Sequence, residues 1–258
     1  MRSLSLLAAV VFLAAPLPAL ACSVASGYRI PTNMELTESA DMILLATVTG
    51  GTTMDEATDP DTMRIDIRPV AVLKGDPAAA PTTLPIALAT DRFALLSNPY
   101  DLENAHPLSQ IGGCIRYMVP KGSRLIFFLD RHDGLWGPAG GPFSRWAEDV
   151  LTDDAPWLAA TRLYLEVAAL PEADRKPALI ARRDALRAKG DDPLAALLAD
   201  DIDRQLAGPN APLREELPQP SEDITAEEVE AMADGAMAAA KCAAAAASDA
   251  EMKACADR

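Results

Sequence analysis

The sequence predicts an α+β protein whose β half precedes its α half, and three observations carry that expectation. Leu125, Ile126, Phe127, Phe128 and Leu129 form an apolar run with no polar face, so a strand there must be buried on both sides. Met63, Ile65 and Ile67 alternate with Arg64, Asp66 and Arg68, the period of a half-exposed strand. From Asp153 onward, Pro and Gly punctuate stretches with helical spacing.

The first 21 residues read as a secretory signal peptide. Arg2 supplies the charge, Leu4 to Leu17 the apolar region, and Ala19-Leu20-Ala21 the small-residue cleavage site. Pro16 and Pro18 break the run, which argues against a membrane anchor. A lipoprotein signal prefers Leu at −3 and a small residue at −2, and Ala19 and Leu20 stand in the opposite order. The mature chain is therefore expected to start at an unmodified Cys22. Removing Arg2 takes the net charge from −15 to −16. Such an acidic chain excludes nucleic-acid binding through phosphate contacts and is repelled by anionic membranes. No transmembrane segment is expected in the mature chain. The expected location is secreted or periplasmic.

Four cysteines in an oxidising compartment imply two disulfides. Of the three pairings, sequence proximity favours Cys242–Cys255, which leaves Cys22–Cys114.

Along the β half, Ser23 to Asn33 is irregular and Glu35 to Ser39 is a polar approach. Met42 to Thr49 is a buried strand ended by Gly50-Gly51. Thr52 to Asp61 is a polar loop whose acids lack calcium-loop spacing. The second strand runs from Met63 to Leu73. Pro69 within it implies an edge or a bulge. Lys74-Gly75-Asp76 is a turn, Leu84 to Thr90 a weaker third strand, and Asp91 to Gln110 a long loop. Gly112-Gly113 delivers the chain to Cys114, Pro120-Lys121-Gly122 turns it, and the apolar strand follows. Trp136 to Trp146, rich in Gly and Pro, is a closing loop.

In the α half, Asp154 caps a helix from Pro156 to Leu170, with Trp157, Tyr164, Val167 and Ala168 on one face. Pro177 starts a second helix that ends at Gly190. Asp192 caps a third, opened by Pro193 and closed by Gly208. Its Leu194, Leu197, Leu198, Ile202 and Leu206 form one stripe. Asp200, Asp201 and Asp203 read as a solvated face rather than a metal or acid/base cluster. A Pro-rich linker follows. Capping boxes at Thr225/Glu228 and Ser248/Glu251 open two helices, each with one cysteine.

Several stretches of the β half resemble the netrin-like, tissue-inhibitor-of-metalloproteinase-like family. They are Cys22-Ser23, the Glu38–Val48 run in which Ala40-Asp41 leads into apolar residues, Val72-Leu73-Lys74-Gly75, and Gly113-Cys114 followed by Lys121-Gly122 and a strand. The resemblance covers roughly residues 22–145 and implies an OB-type β-barrel. That family's inhibitors begin Cys-x-Cys, whereas Val24 stands here. The resemblance further implies that the α-amine and carbonyl of Cys22, with Ser23, contact a protease zinc.

The expected organisation is thus a signal peptide (1–21), a netrin-like barrel (22–150), a helical bundle (151–208), a linker (209–223) and a disulfide-stapled helical hairpin (224–258). No catalytic motif, cofactor motif or metal-ligand spacing accompanies His106 or His132. The favoured function is an exported, non-enzymatic binding protein with a protein partner such as a protease or an envelope protein. The alternatives are a metalloprotease inhibitor acting through Cys22 and a hydrolase with an unrecognised site. No cofactor is expected.

Overall fold

The structure is a computed structural model, and it describes residues 24–57, 62–90, 101–103, 105–110 and 113–213. The expected signal peptide, Cys22, Ser23, Cys242, Cys255 and the expected C-terminal hairpin lie outside the described residues.

Chain order starts with a short helix, α1 (Asn33–Ser39). Thr32 and Glu35 form a reciprocal capping box at its start, satisfying two backbone donors that a helix end leaves open. The strands β1 (Met42–Gly51), β2 (Ile65–Lys74), β3 (Thr83–Leu84), β4 (Ala87–Ala89), β5 (Met118–Pro120), β6 (Arg124–His132), β7 (Leu135–Pro138) and β8 (Ala147–Asp149) follow. The helices α2 (Pro156–Ala168), α3 (Glu172–Arg187) and α4 (Pro193–Ala207) complete an α+β architecture.

The main sheet has the order β3-β2-β1-β6-β7, and β8 pairs with the same edge of β6 that β7 uses further along. β4 and β5 form a separate parallel pair. Strand pairing among the described residues leaves the sheet open rather than closing it as a barrel. A single bridge, Thr53 to Leu88, links β4 to the chain just beyond β1.

Both faces of the sheet are buried at β1 and β6, which is why the β6 run has no polar side. Leu125, Phe127 and Leu129 join Met42, Leu44, Ala46 and Val48 of β1 in one apolar cluster with Trp146 and Ile65. Ile126 and Phe128 join Ile43 and Leu45 in a second cluster with α1, α2 and α4, including Trp157, Tyr164 and Ile202. The alternation follows from the two-residue period of a strand.

Of the edge or bulge expected at Pro69, a bulge is present. Leu45 opposes Ala71 and Ala46 opposes Pro69, so Val70 is the extra residue, and it is exposed.

Several elements differ from the sequence expectations. The polar approach 35–39 is helical, because the Thr32/Glu35 box nucleates a turn. The third strand divides into β3 and β4. Trp136 belongs to β7, not a loop: Asp133 and Gly134 both have positive φ and form a two-residue hairpin turn between His132 and Leu135. α2 begins after Ala155, and Asp154 makes no cap. α3 begins at Glu172, with Pro177 inside it. Pro177 there removes only one backbone donor, that facing Ala173. α4 matches its expected punctuation, with Asp192 accepting from the N–H groups of Leu194 and Ala195.

Candidate functional site

The segment that precedes α1 is tied down at several points. Tyr28 donates its hydroxyl to the carbonyls of Gly140 (3.1 Å) and Pro142 (2.5 Å). Its backbone carbonyl accepts from Leu213 N–H, and the Ile30 carbonyl accepts from the Asn210 amide. Gly140 and Gly141 adopt positive φ, and a Cβ on Gly140 would meet Leu36, Ser144 and Pro31 within about 3.0 Å. The 140–142 loop therefore fits closely against this segment.

Between them opens a groove of about 670 Å³ lined by Gly27, Tyr28, Arg29, Pro31, Glu35, Glu38, Ser39 and Gly140. Arg29 pairs with Glu35 at 2.7 Å, and Glu38 pairs with Arg175 at 3.0 Å. Burial pushes the Glu35 carboxyl up, but the Arg29 guanidinium and the Thr32 N–H outweigh it and hold the group below the usual carboxylate range. Burial raises the Tyr28 phenol above its ordinary range.

Cys114 lies beside this corner. It has φ +59, its carbonyl accepts from Phe143 N–H, and Phe143 itself has φ +60. Cys114 is disulfide-bonded. The other three cysteines lie outside the described residues, so its partner does too. Gly113 must be glycine here, because a Cβ would sit 2.1 Å from the Tyr117 ring.

Two of the stretches that carry the family resemblance meet in the structure. Lys74 donates to the carbonyls of Thr37 (3.1 Å) and Glu38 (2.6 Å) at the end of α1, where a cation complements the helix dipole. Gly75, at φ +96, packs against the Asp41 carbonyl.

Two buried ion pairs flank β8. Arg116 bonds Asp149 at 2.9 Å, and Arg145 bonds Glu148. Asp149 opposes Leu125 and Glu148 opposes Ile126, so the two acids point to opposite faces of the sheet. Arg145 also stacks over Trp157 at 4.7 Å. The Trp146 indole donates to the Arg116 carbonyl at 3.0 Å.

A third polar cluster joins the helices. Asp201, only 3% exposed, accepts from Tyr164 (2.7 Å), from Asn33 (3.0 Å) and from Arg204. Burial pushes its carboxyl up against the opposing pull of the Arg204 cation. The expected solvated face is corrected on this point. Asp200 and Asp203 face solvent, but Asp201 turns inward beside Ile202, where Tyr164 and Asn33 complete its hydrogen bonds. Gln205 extends the joint, donating to Thr32 at 2.6 Å and accepting from Met34 N–H at 2.8 Å.

The two histidines have different settings. His132 is exposed at the end of β6. His106, expected as an ordinary loop histidine, is fully buried, and its Nδ1 accepts from Leu108 N–H. Ser109 is buried three residues on. Among the described residues no group of three or more His, Cys, Asp or Glu is placed to hold a metal ion, and no helix is long and apolar enough to cross a membrane.

Sequence reasoning missed Tyr28, Arg29 and Glu35 as groove residues. The Thr32/Glu35 capping pair was the available signal for part of it. Comparison of the chain with protein-family models, curated proteins and solved structures gives no match.

Proposed function

We propose that this chain is an exported, non-enzymatic binding protein that engages a protein partner through the groove beside its N-terminal segment. The observation that carries this reading is the pinned segment itself. Tyr28, fixed to the 140–142 loop, lines a groove of mixed polar and apolar surface whose charges are already paired, a surface suited to recognition rather than chemistry. Export rests on the signal-like residues 1–21. A netrin-like, OB-type arrangement of the β half is part of the same proposal, supported by the contact between the Ala40-Asp41 and Lys74-Gly75 stretches.

A photo-crosslinking residue placed at Arg29 or Ser39 in the native host tests the reading. A discrete adduct with another envelope protein is expected at these positions and not at Lys176. Adducts that are absent, or equal at all three positions, overturn it.

One observation favours a narrower version, inhibition of a zinc protease through Cys22. Tyr28 touches Pro142, the neighbouring Phe143 touches Cys114, and Cys22 is only six residues before Tyr28. Six residues span at most about 20 Å, so a Cys22–Cys114 bond is within reach and would anchor the α-amine. A neutral amine, with its unperturbed pKa of about 7.7–8.0, and the adjacent carbonyl would then face the protease metal. Disulfide mapping should join Cys22 to Cys114 and Cys242 to Cys255. Acetylating the α-amine should abolish inhibition of a zinc-protease panel. An unmodified protein that inhibits none of the panel removes this version and leaves the groove proposal standing.

A further inference from the structure

α3 and α4 are neighbours of similar length, yet they are held by different forces. α4 buries Ala195, Leu198, Ala199, Asp201 and Ile202, and its Asp201 and Gln205 bind α1 and α2 from within. α3 buries Leu179 alone, with Leu186 half-covered and Ile180 exposed. Besides the packing of Leu179 and Leu186, what fastens α3 is a set of surface arginines. Arg175 reaches Glu38 of α1 at 3.0 Å and the Leu170 and Ala168 carbonyls at the end of α2. Arg182 reaches Glu166 of α2 at 2.7 Å. Arg183 and Arg187 converge on Asp203 of α4, both at 3.0 Å, and Arg187 also takes Asp200.

Pairs of this kind are weak singly and are screened by salt, while apolar burial is not. An element with little buried apolar surface opens at a free energy well below that of global unfolding. The segment also has natural pivots, since Pro171 precedes the helix in an extended conformation and Gly190 follows it at φ +65.

We propose that α3 is a salt-sensitive strap that swings open about Pro171 and Gly190 while α1, α2 and α4 stay packed, uncovering the faces of α2 and α4 beneath it. The charge arrangement fits a reversible fastening. Arg187 and Arg183 hold the Asp203 carboxyl below its usual range, yet every one of these groups stays solvent-accessible. The inference does not rest on the proposed function, although opening α3 would release Glu38, which lines the groove, from Arg175.

Hydrogen exchange with mass-spectrometric readout on the full chain tests it, at low ionic strength and at about 1 M salt, where the Debye length falls to about 3 Å. Peptides covering 172–187 should exchange faster than those of α4 at both conditions. Salt should accelerate them about tenfold, the summed effect of several screened pairs, and leave α4 and β1 unchanged. The double variant Arg183→Gln, Arg187→Gln should already exchange fast at low salt and lose most of the salt response. Equal protection of α3 and α4, uniform acceleration of the whole chain, an α3 unprotected from the outset, or a variant matching the parent would each overturn the proposal.

Discussion

The indole N–H of Trp136 donates to the carbonyl of Ala79 over 3.0 Å. Trp136 stands on β7 at one flank of the sheet, and Ala79 lies in the connection from β2 to β3 at the other. One side chain therefore ties the two flanks across the cluster that holds Phe127 and Trp146. Trp136→Phe keeps most of the ring and loses the bond. It should lower stability by about 1 kcal/mol in urea titration. A variant as stable as the parent would show that the flanks are held by apolar packing alone.

Phe127 and Phe128 serve different cores. Phe127 packs 5.7 Å from the Trp146 ring, and Phe128 packs on the helical side. Each truncation to Ala should cost about 3–5 kcal/mol. Near-UV circular dichroism should distinguish them, with the Trp146 signal lost only in Phe127→Ala. Parent-like melting of both variants would mean that β6 is not central.

Asp201→Ala should cost about 3–5 kcal/mol, because Arg204, Tyr164 and Asn33 would face an emptied site. Tyr164→Phe removes one donor of three and should cost about 1–2 kcal/mol. A Tyr164→Phe loss as large as that of Asp201→Ala would relocate the joint from the carboxylate to the phenol.

Glu35 lies below the usual carboxylate range in the folded protein, so the folded state binds its proton less tightly than the unfolded chain does. Its contribution is fully present above the unfolded pKa of about 4.3 and is lost as pH falls through the folded value. Glu35→Gln keeps an acceptor for the Thr32 N–H and removes the charge facing Arg29. The parent should exceed this variant by up to about 1 kcal/mol at pH 7. Thermal melts should show the gap closing in acid. A gap that widens in acid would reverse the sign and refute the assignment.

The sequence made the buried strands legible wherever the side-chain pattern had one strong reading. The Leu125–Leu129 run required two covered faces, and Asp192-Pro193 with Gly208 bounded α4. Pro69 announced an edge or a bulge because it has no N–H to give a ladder. Short elements were harder. Thr32 with Glu35, and Asp133 with Gly134, were usable signals for α1 and the β6–β7 turn, but each spans too few residues for periodicity to reinforce it. The buried roles of Asp201, Arg116 and His106 were not legible. An acid at position 201 looks like its neighbours at 200 and 203 until the helix phase is fixed by Tyr164 and Asn33, which are distant in sequence. The groove depends on Tyr28 meeting a loop more than a hundred residues away, a contact that no local pattern encodes.

β8 is three residues long, too short for its ladder alone to choose where it sits. Its acids choose instead. Sliding the strand by one position would exchange the faces that Glu148 and Asp149 address, parting Asp149 from Arg116 in a dry interior and carrying Arg145 and Glu148 off Trp157 together. The strand thus works as a two-pronged key that fits in one position only. Arg116 lies toward one side of the sheet and Arg145, resting on Trp157, toward the other. β8 therefore joins the two apolar clusters at one short strand, so a change there reaches both at once.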